Sequence, residues 1–476
     1  MNRRFVCILL LFVYGLPGNA QTRDKIKIAC IGASITYGSG LKNREKESYP
    51  AQLQTKLGDE YEVRNYGVGG CTMLRKGNLP YWKTPEYQAA LAWHPDIVTI
   101  DLGGNDSKLI NRIYLDEYKK DCHDMIQSFA ELPSHPRIIL LQPVVSFVTD
   151  TTGIWDPVIV NGIIPLLKEV AYSDRRELFN VHSLLSDKPA LIPDKIHPGL
   201  EGTAIIAKSL FEIIETKRDV AYTIFDKISF SKTYSSFHGY ACADFNFNER
   251  KCKVVQPKIA ARGHPWVWRA RFWGHEPQTD IALLERGFHV VYCDVVELLG
   301  NKESIIAWND FYKLMHRAGL SKKVVMEGMS RGGLYVFNWA AVNPHRVACV
   351  YVDNPLLNIN AWIIQMLQLP AGRNEMFEAF KKDYNLTTPE QVRQFRGGPV
   401  ESVKKIVKGH YPILIVCADE DEAVSPAENT NLFEEKIKAL HGDITVIHKP
   451  GFKHHPHSLP DPTPIVDFIL KAVNGR

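Results

Sequence analysis

Residues 25–36 read KIKIACIGASIT, a short β-branched run set against a small-residue turn that carries a serine. A run of this length and composition, closed by glycine, predicts a buried strand. The stretch YPAQLQTKLG (49–58) predicts a helix after it. The alternation continues with strands at YEVRNYG (61–67), DIVTIDLGG (96–104) and RIILLQPVV (137–145), and helices at EYKKDCHDMIQSFAEL (117–132) and GTAIIAKSLFEIIE (202–215). Strands alternating with helices need crossover connections, so the expected class is α/β, a parallel sheet covered on both faces.

Near residue 217 the alternation lapses. Residues 227–258 predict consecutive antiparallel strands with polar turns, and a second α/β run then begins. Its strands are GFHVVYCDVV (287–296), KKVVMEGMS (322–330), RVACVYVDN (346–354), YPILIVCAD (411–419) and DITVIHKPG (443–451). The chain of 476 residues therefore divides into 24–217, a linker at 218–234, and 235–476. That length suits two or three domains at about 100–200 residues each. A helical, Met- and aromatic-rich stretch at about 354–409 is expected to cap the second unit.

A serine at the carboxyl edge of a parallel strand sits where open α/β sheets bind ligands. Ser34 is such a residue, although a helix N-cap would also suit it. Three further blocks bear on the choice. Gly67-Val68-Gly69-Gly70 offers backbone N–H groups without side chains in the way. Gly103-Gly104-Asn105-Asp106 brings a carboxamide to the same edge, and Asp194 and His197 stand three residues apart. A serine hydroxyl attacks only when a base takes its proton, which His197 can do with Asp194 orienting the imidazole. The N–H groups of Ser34 and Gly70, with the Asn105 amide, would stabilise an oxyanion.

These blocks, in this order, resemble the SGNH (GDSL-like) hydrolases over residues 26–214. The resemblance implies a three-layer α/β/α domain with Ser34 as nucleophile, Gly70 and Asn105 in the oxyanion hole, and Asp194 and His197 completing the triad. The usual GDS opening is GAS here, with Ala33 in place of an acid that is no triad member. Among such enzymes the domain is most similar to those that release acetyl groups from carbohydrate.

In the second unit Gly328-Met329-Ser330-Arg331-Gly332 lies between a strand and the helical LYVFNWAAV. This is G-x-S-x-G in the strand–turn–helix setting that exposes a nucleophilic serine. An acid and then a histidine should follow in the chain. The unit resembles the α/β-hydrolases over 235–474. The resemblance selects Asp421, with Asp419 in reserve, and His454, with His455 in reserve. It implies an oxyanion hole from the N–H of Arg331 and a donor after an early strand, assigned to Trp266. Trp266, Trp268 and Trp273, interleaved with Arg269 and Arg271, read either as packed core with paired arginines or as a sugar-stacking platform. The histidines of 454–457 could hold a metal, but no carboxylate stands at matching spacing, so neither metal nor other cofactor is expected.

Hydrophobic residues at 45% and charged residues at 23% exclude disordered and fibrous classes. A net charge of +4 without a basic block speaks against nucleic acid as a partner. Arg3 and Arg4, the apolar run Phe5–Tyr14 and the small residues before Gln21 read as a signal peptide over 1–20. The run is shorter than the roughly 20 residues a span needs, so an exported protein, periplasmic or secreted and without a membrane span, is expected. Cys242 and Cys252 flank an expected hairpin and are the one pair considered for a disulfide. The expected function is a two-site serine esterase removing acetyl or other esters from glycans. The alternatives are a lipase or thioesterase, or a second unit that is a peptidase or a carbohydrate-binding pseudo-hydrolase. Oligomeric state is not legible.

Overall fold

A computed structural model describes residues 24–367 and 375–475. The expected signal segment at 1–20 lies outside them. Five parallel strands, β1 (Ile26–Gly32), β2 (Tyr61–Gly67), β3 (Ile97–Asp101), β4 (Arg137–Leu141) and β5 (Glu177–Phe179), make the first sheet in the order β2-β1-β3-β4-β5. The period of two is visible within β1. Ile28 and Cys30 enter one core layer with the helix Leu200–Glu215, while Ala29 and Ile31 enter the other with the helix Tyr118–Ala130. Both faces are apolar because both are covered, as a parallel sheet requires.

The short strand β6 (Arg218–Asp219) pairs with β10 (Ala260–Ala261), and Ile224 and Ile228 are buried in the core of the second unit. Residues 218–234 thus pack against the second unit along part of their length. Nine strands build the large sheet: β7 (Thr233–Phe237), β8 (Tyr240–Phe247), β9 (Arg250–Gln256), β11 (Trp266–Ala270), β12 (His289–Cys293), β13 (Val324–Met329), β14 (Val347–Asp353), β15 (Ile413–Ala418) and β16 (Ile444–Lys449). Their order is β16-β15-β14-β13-β11-β12-β9-β8-β7. The pairs from β12 to β7 are antiparallel and the rest parallel. This is a mostly parallel sheet with an antiparallel leading segment. Between β14 and β15 the chain forms the helices Ile359–Leu367, Glu375–Asp383, Pro389–Gln394 and Val403–Val407.

The Cys242–Cys252 disulfide does not form; both thiols are free. Cys242 stands opposite Val255 and Cys252 opposite Phe245, an odd offset that sends their side chains to opposite faces of the sheet. The sugar-platform reading also fails for most of its residues. Trp266, Trp268 and Arg269 are fully buried, with Trp268 packed among Trp308, Phe311 and Trp339. Arg269 is paired with Asp280 and, at 3.1 Å, with Glu327. Burial, then the charge of Asp280, holds the Glu327 carboxyl well above the usual range, which keeps this buried cluster near neutrality.

The two units are joined by buried polar contacts. Arg286, almost fully buried, meets Glu212 at 2.6 Å, and Asn180 donates its N–H to Glu285 at 2.6 Å. Arg218 donates to the carbonyls of Ile213 and Glu285, and Tyr240 to that of Leu178.

Candidate active sites

Strand β1 ends at Gly32, where a Cβ would overlap the Thr36 side chain, so the chain turns tightly into the one-turn helix Ser34–Tyr37. Ser34 emerges at the carboxyl edge of the sheet. Its Oγ lies 2.9 Å from Nε2 of His197, whose Nδ1 lies 2.6 Å from Oδ2 of Asp194. The other carboxylate oxygen of Asp194 accepts the N–H groups of Ile196 and His197, at 3.0 and 2.6 Å. Burial works against the charge of Asp194, but these N–H groups and the imidazole outweigh it and hold the carboxyl below its usual range. The acid is thereby kept ionised and the imidazole fixed in one tautomer.

The remaining donors come from the turns after β2 and β3. Gly70 has φ +80, which a side chain would resist, and a Cβ there would meet the Leu79 side chain at 3.5 Å. Asn105 is buried, and one of its amide hydrogens goes to the Cys71 carbonyl at 3.1 Å, leaving the other for a ligand. Asp106 ties the two turns together, accepting the N–H groups of Met73 and Leu74 at 3.0 and 2.8 Å. Burial raises this carboxyl to about 6 against those bonds. The sequence reading passed over Asp106, although its place beside Asn105 was in view. A hollow lined by Ser34, Asn105, Gly104, Val145, Ile154 and Ile196 adjoins the serine.

The second serine sits on a strained turn. Ser330 has φ +49, disfavoured for a residue with a side chain, and is held by an N–H bond to the Asp353 carbonyl and by accepting the Leu356 N–H, both at 2.8 Å. The flanking glycines are required by space. A Cβ on Gly328 would stand 2.8 Å from the Gly332 backbone, and one on Gly332 would stand 2.6 Å from the Ala270 carbonyl. Ser330 Oγ lies 3.0 Å from Nε2 of His454, whose Nδ1 lies 2.6 Å from Asp421. Asp421 also accepts the N–H groups of Ala423 and Val424 at 2.9 Å. The reserves lie elsewhere: Asp419 pairs with His448 at 2.6 Å, and His455 stacks edge-on against His454.

Trp266 is the misplaced residue of this site. It begins β11, level with the start of β13, whereas Ala270 pairs with Gly328 beside the serine. At about 3.3 Å per residue, Trp266 lies roughly 20 Å along the strands from Ser330. Its indole bonds to the Ser321 carbonyl within the core. The turn at the correct end is Arg271–Phe272, both with positive φ, and the Phe272 ring faces the guanidinium of Arg331 at 5.9 Å. Arg269 holds this turn from beneath by donating to the carbonyls of Phe272 and His275.

The fold and the two hydrogen-bonded Ser–His–Asp chains define a class: paired α/β units, each with a serine hydrogen-bonded to a histidine at a strand's carboxyl end. Residues 30–205 match the GDSL-like Lipase/Acylhydrolase family. An acetylxylan esterase of Xylanibacter ruminicola is 40% identical over 213 residues, 41% of this chain and 43% of that one. The chain thus spans less than half the length of that relative. Among solved structures, a carbohydrate acetylesterase from Sinorhizobium meliloti is 20% identical, covering 40% of this chain and 98% of its own, with a TM-score of 0.35. An S-formylglutathione hydrolase from Agrobacterium tumefaciens is 14% identical, covering 51% and 96%, with a TM-score of 0.37. Among the described residues no helix is long and apolar enough to cross a membrane.

Proposed function

We propose that the protein is an exported carboxylic-ester hydrolase with two serine centres, removing acetyl or related ester groups from plant-type glycans. The observation that carries this is the complete serine–imidazole–carboxylate chain in each unit, at 2.9 and 2.6 Å in the first and 3.0 and 2.6 Å in the second. The carbohydrate assignment is supported by the 40% identity to an acetylxylan esterase.

In the first centre Ser34 Oγ attacks the ester carbonyl as His197 Nε2 takes its proton. The tetrahedral oxyanion is held by the N–H groups of Ser34 and Gly70 and the spare Asn105 amide hydrogen. His197 then gives the proton to the sugar alkoxide, which leaves. Water, deprotonated by the same imidazole, attacks the acyl-serine, and acetate departs with Ser34 restored. In the second centre Ser330, His454 and Asp421 take the same parts. Arg331 N–H supplies one oxyanion donor, and the Arg271–Phe272 turn, in place of Trp266, supplies the other. The helices between β14 and β15 shape the acyl or sugar pocket.

The test is acetate release from acetylated xylan, with fluorophosphonate labelling, for Ser34→Ala, Ser330→Ala and the double variant. Each single variant should lose one of two labels, and the double variant all activity. Esterase activity persisting in the double variant would overturn the serine mechanism.

A further inference from the structure

Beside the second serine, three histidines from two distant segments converge. His275 lies on the loop after β11, and His455 and His457 on the loop after β16. One ring nitrogen from each lies within 4.8 Å of the others. The rings stand nearly perpendicular to one another, with interplanar angles of 86°, 82° and 83°, and their centroids are 4.8 to 5.7 Å apart.

His457 is oriented from behind. Its Nδ1 lies 2.7 Å from Oδ1 of Asp353, a carboxylate with no solvent exposure whose other oxygen accepts the Ser458 N–H at 2.8 Å. With Nδ1 committed, Nε2 is the nitrogen left for a ligand. A buried carboxylate fixing the tautomer and raising the basicity of an imidazole is the usual support for a metal-ligating histidine. His454 does not join the set, because Asp421 and Ser330 take both its nitrogens.

We infer that His275, His455 and His457 form a site for one divalent transition-metal ion of the zinc type. Three neutral imidazoles suit Zn²⁺, Co²⁺, Ni²⁺ or Cu²⁺ and leave a fourth position for water. Tetrahedral ligation at about 2.0–2.1 Å brings nitrogens to about 3.3 Å from one another. The exposed side chains of His275 and His455 have freedom to draw inward, while His457 stays anchored. The ion would clamp the Arg271–Phe272 turn to the loop bearing His454. Asp353 would connect it to the nucleophile turn, since the carbonyl of the same residue accepts the Ser330 N–H.

The experiment uses the full chain without a histidine tag, titrated with Co²⁺ and then with Zn²⁺. One Co²⁺ per chain is expected, with the visible bands of a four-coordinate ion that Zn²⁺ abolishes. Zn²⁺ should also raise the unfolding temperature by mass action. His275→Ala and His455→Ala should each weaken binding by about tenfold or more. His275→Cys should keep it and add a near-ultraviolet sulfur-to-cobalt band. Absence of stoichiometric binding, or undiminished binding in the His275→Ala/His455→Ala double variant, would overturn the site.

Discussion

The backbone N–H of Asn180, at the end of the first sheet, donates at 2.6 Å to the carboxyl of Glu285 in the second unit. Burial raises that carboxyl to about 7, against the opposing pull of Arg286 and the Asn180 N–H. Its folded value thus lies above the ordinary carboxylate value, so the folded chain binds the proton more tightly than the unfolded one. The resulting stability is full below about pH 4.3 and is lost as pH rises through about 7. Glu285→Gln should flatten this component, so that the variant gains stability relative to the parent on going from pH 5 to pH 8. Urea unfolding across that interval measures it. An unchanged difference between the two proteins would remove Glu285 as its source.

Asp421 and Asp419 stand two residues apart but serve different histidines, His454 and His448. Asp421→Asn should cut kcat at the second centre by about 10⁴, because an amide cannot hold the imidazole in its working tautomer. Asp419→Asn should stay within a few-fold. Both are assayed in a Ser34→Ala background, so that only Ser330 turns over substrate.

Asn105→Ala removes one oxyanion donor from the first centre, and should lower kcat by about 10²–10³ with little change in KM. Asp106→Asn acts one step further out. Its amide nitrogen cannot accept one of the Met73 and Leu74 N–H groups, leaving a buried donor unmet at a cost of about 1–3 kcal/mol. Chemical denaturation should show that loss, and kcat at Ser34 should fall as the Gly70 turn loosens.

Gly332→Ala would place a methyl 2.6 Å from the Ala270 carbonyl, a backbone atom that cannot swing aside. We expect about 1–3 kcal/mol of destabilisation and loss of fluorophosphonate labelling at Ser330. Gly69→Ala, with open space around its Cβ, is the control and should leave stability nearly unchanged.

Much of the fold was legible because its signals are local. The runs KIKIACIG and ILIVCAD became parallel strands whose alternate residues enter opposite core layers. Local spacing also brought Asp194 beside His197, and the glycines at 328 and 332 around Ser330. What failed depended on pairing across space. Trp266 was placed by sequence proximity to a turn, yet strand direction sends it to the far end of the sheet. The Cys242–Cys252 expectation ignored register, which decides the face each side chain takes. His275 stands 180 residues before His455, so no spacing rule could join them. Likewise the Arg269 cluster assembles from three segments and shows only once the sheet is closed.

The junction between the units carries a practical meaning for anyone handling this chain. The contacts Arg286–Glu212, Arg218–Glu177 and Glu285–Asn180 exist only when both halves are present. Cutting at residue 217 would remove these contacts and open both faces of the seam to water. Separately produced halves are therefore expected to be poor material, and swapping either for a foreign catalytic unit would need a redesigned seam. The same seam also ties the doses of the two centres together: wherever one serine goes, the other arrives in equal number.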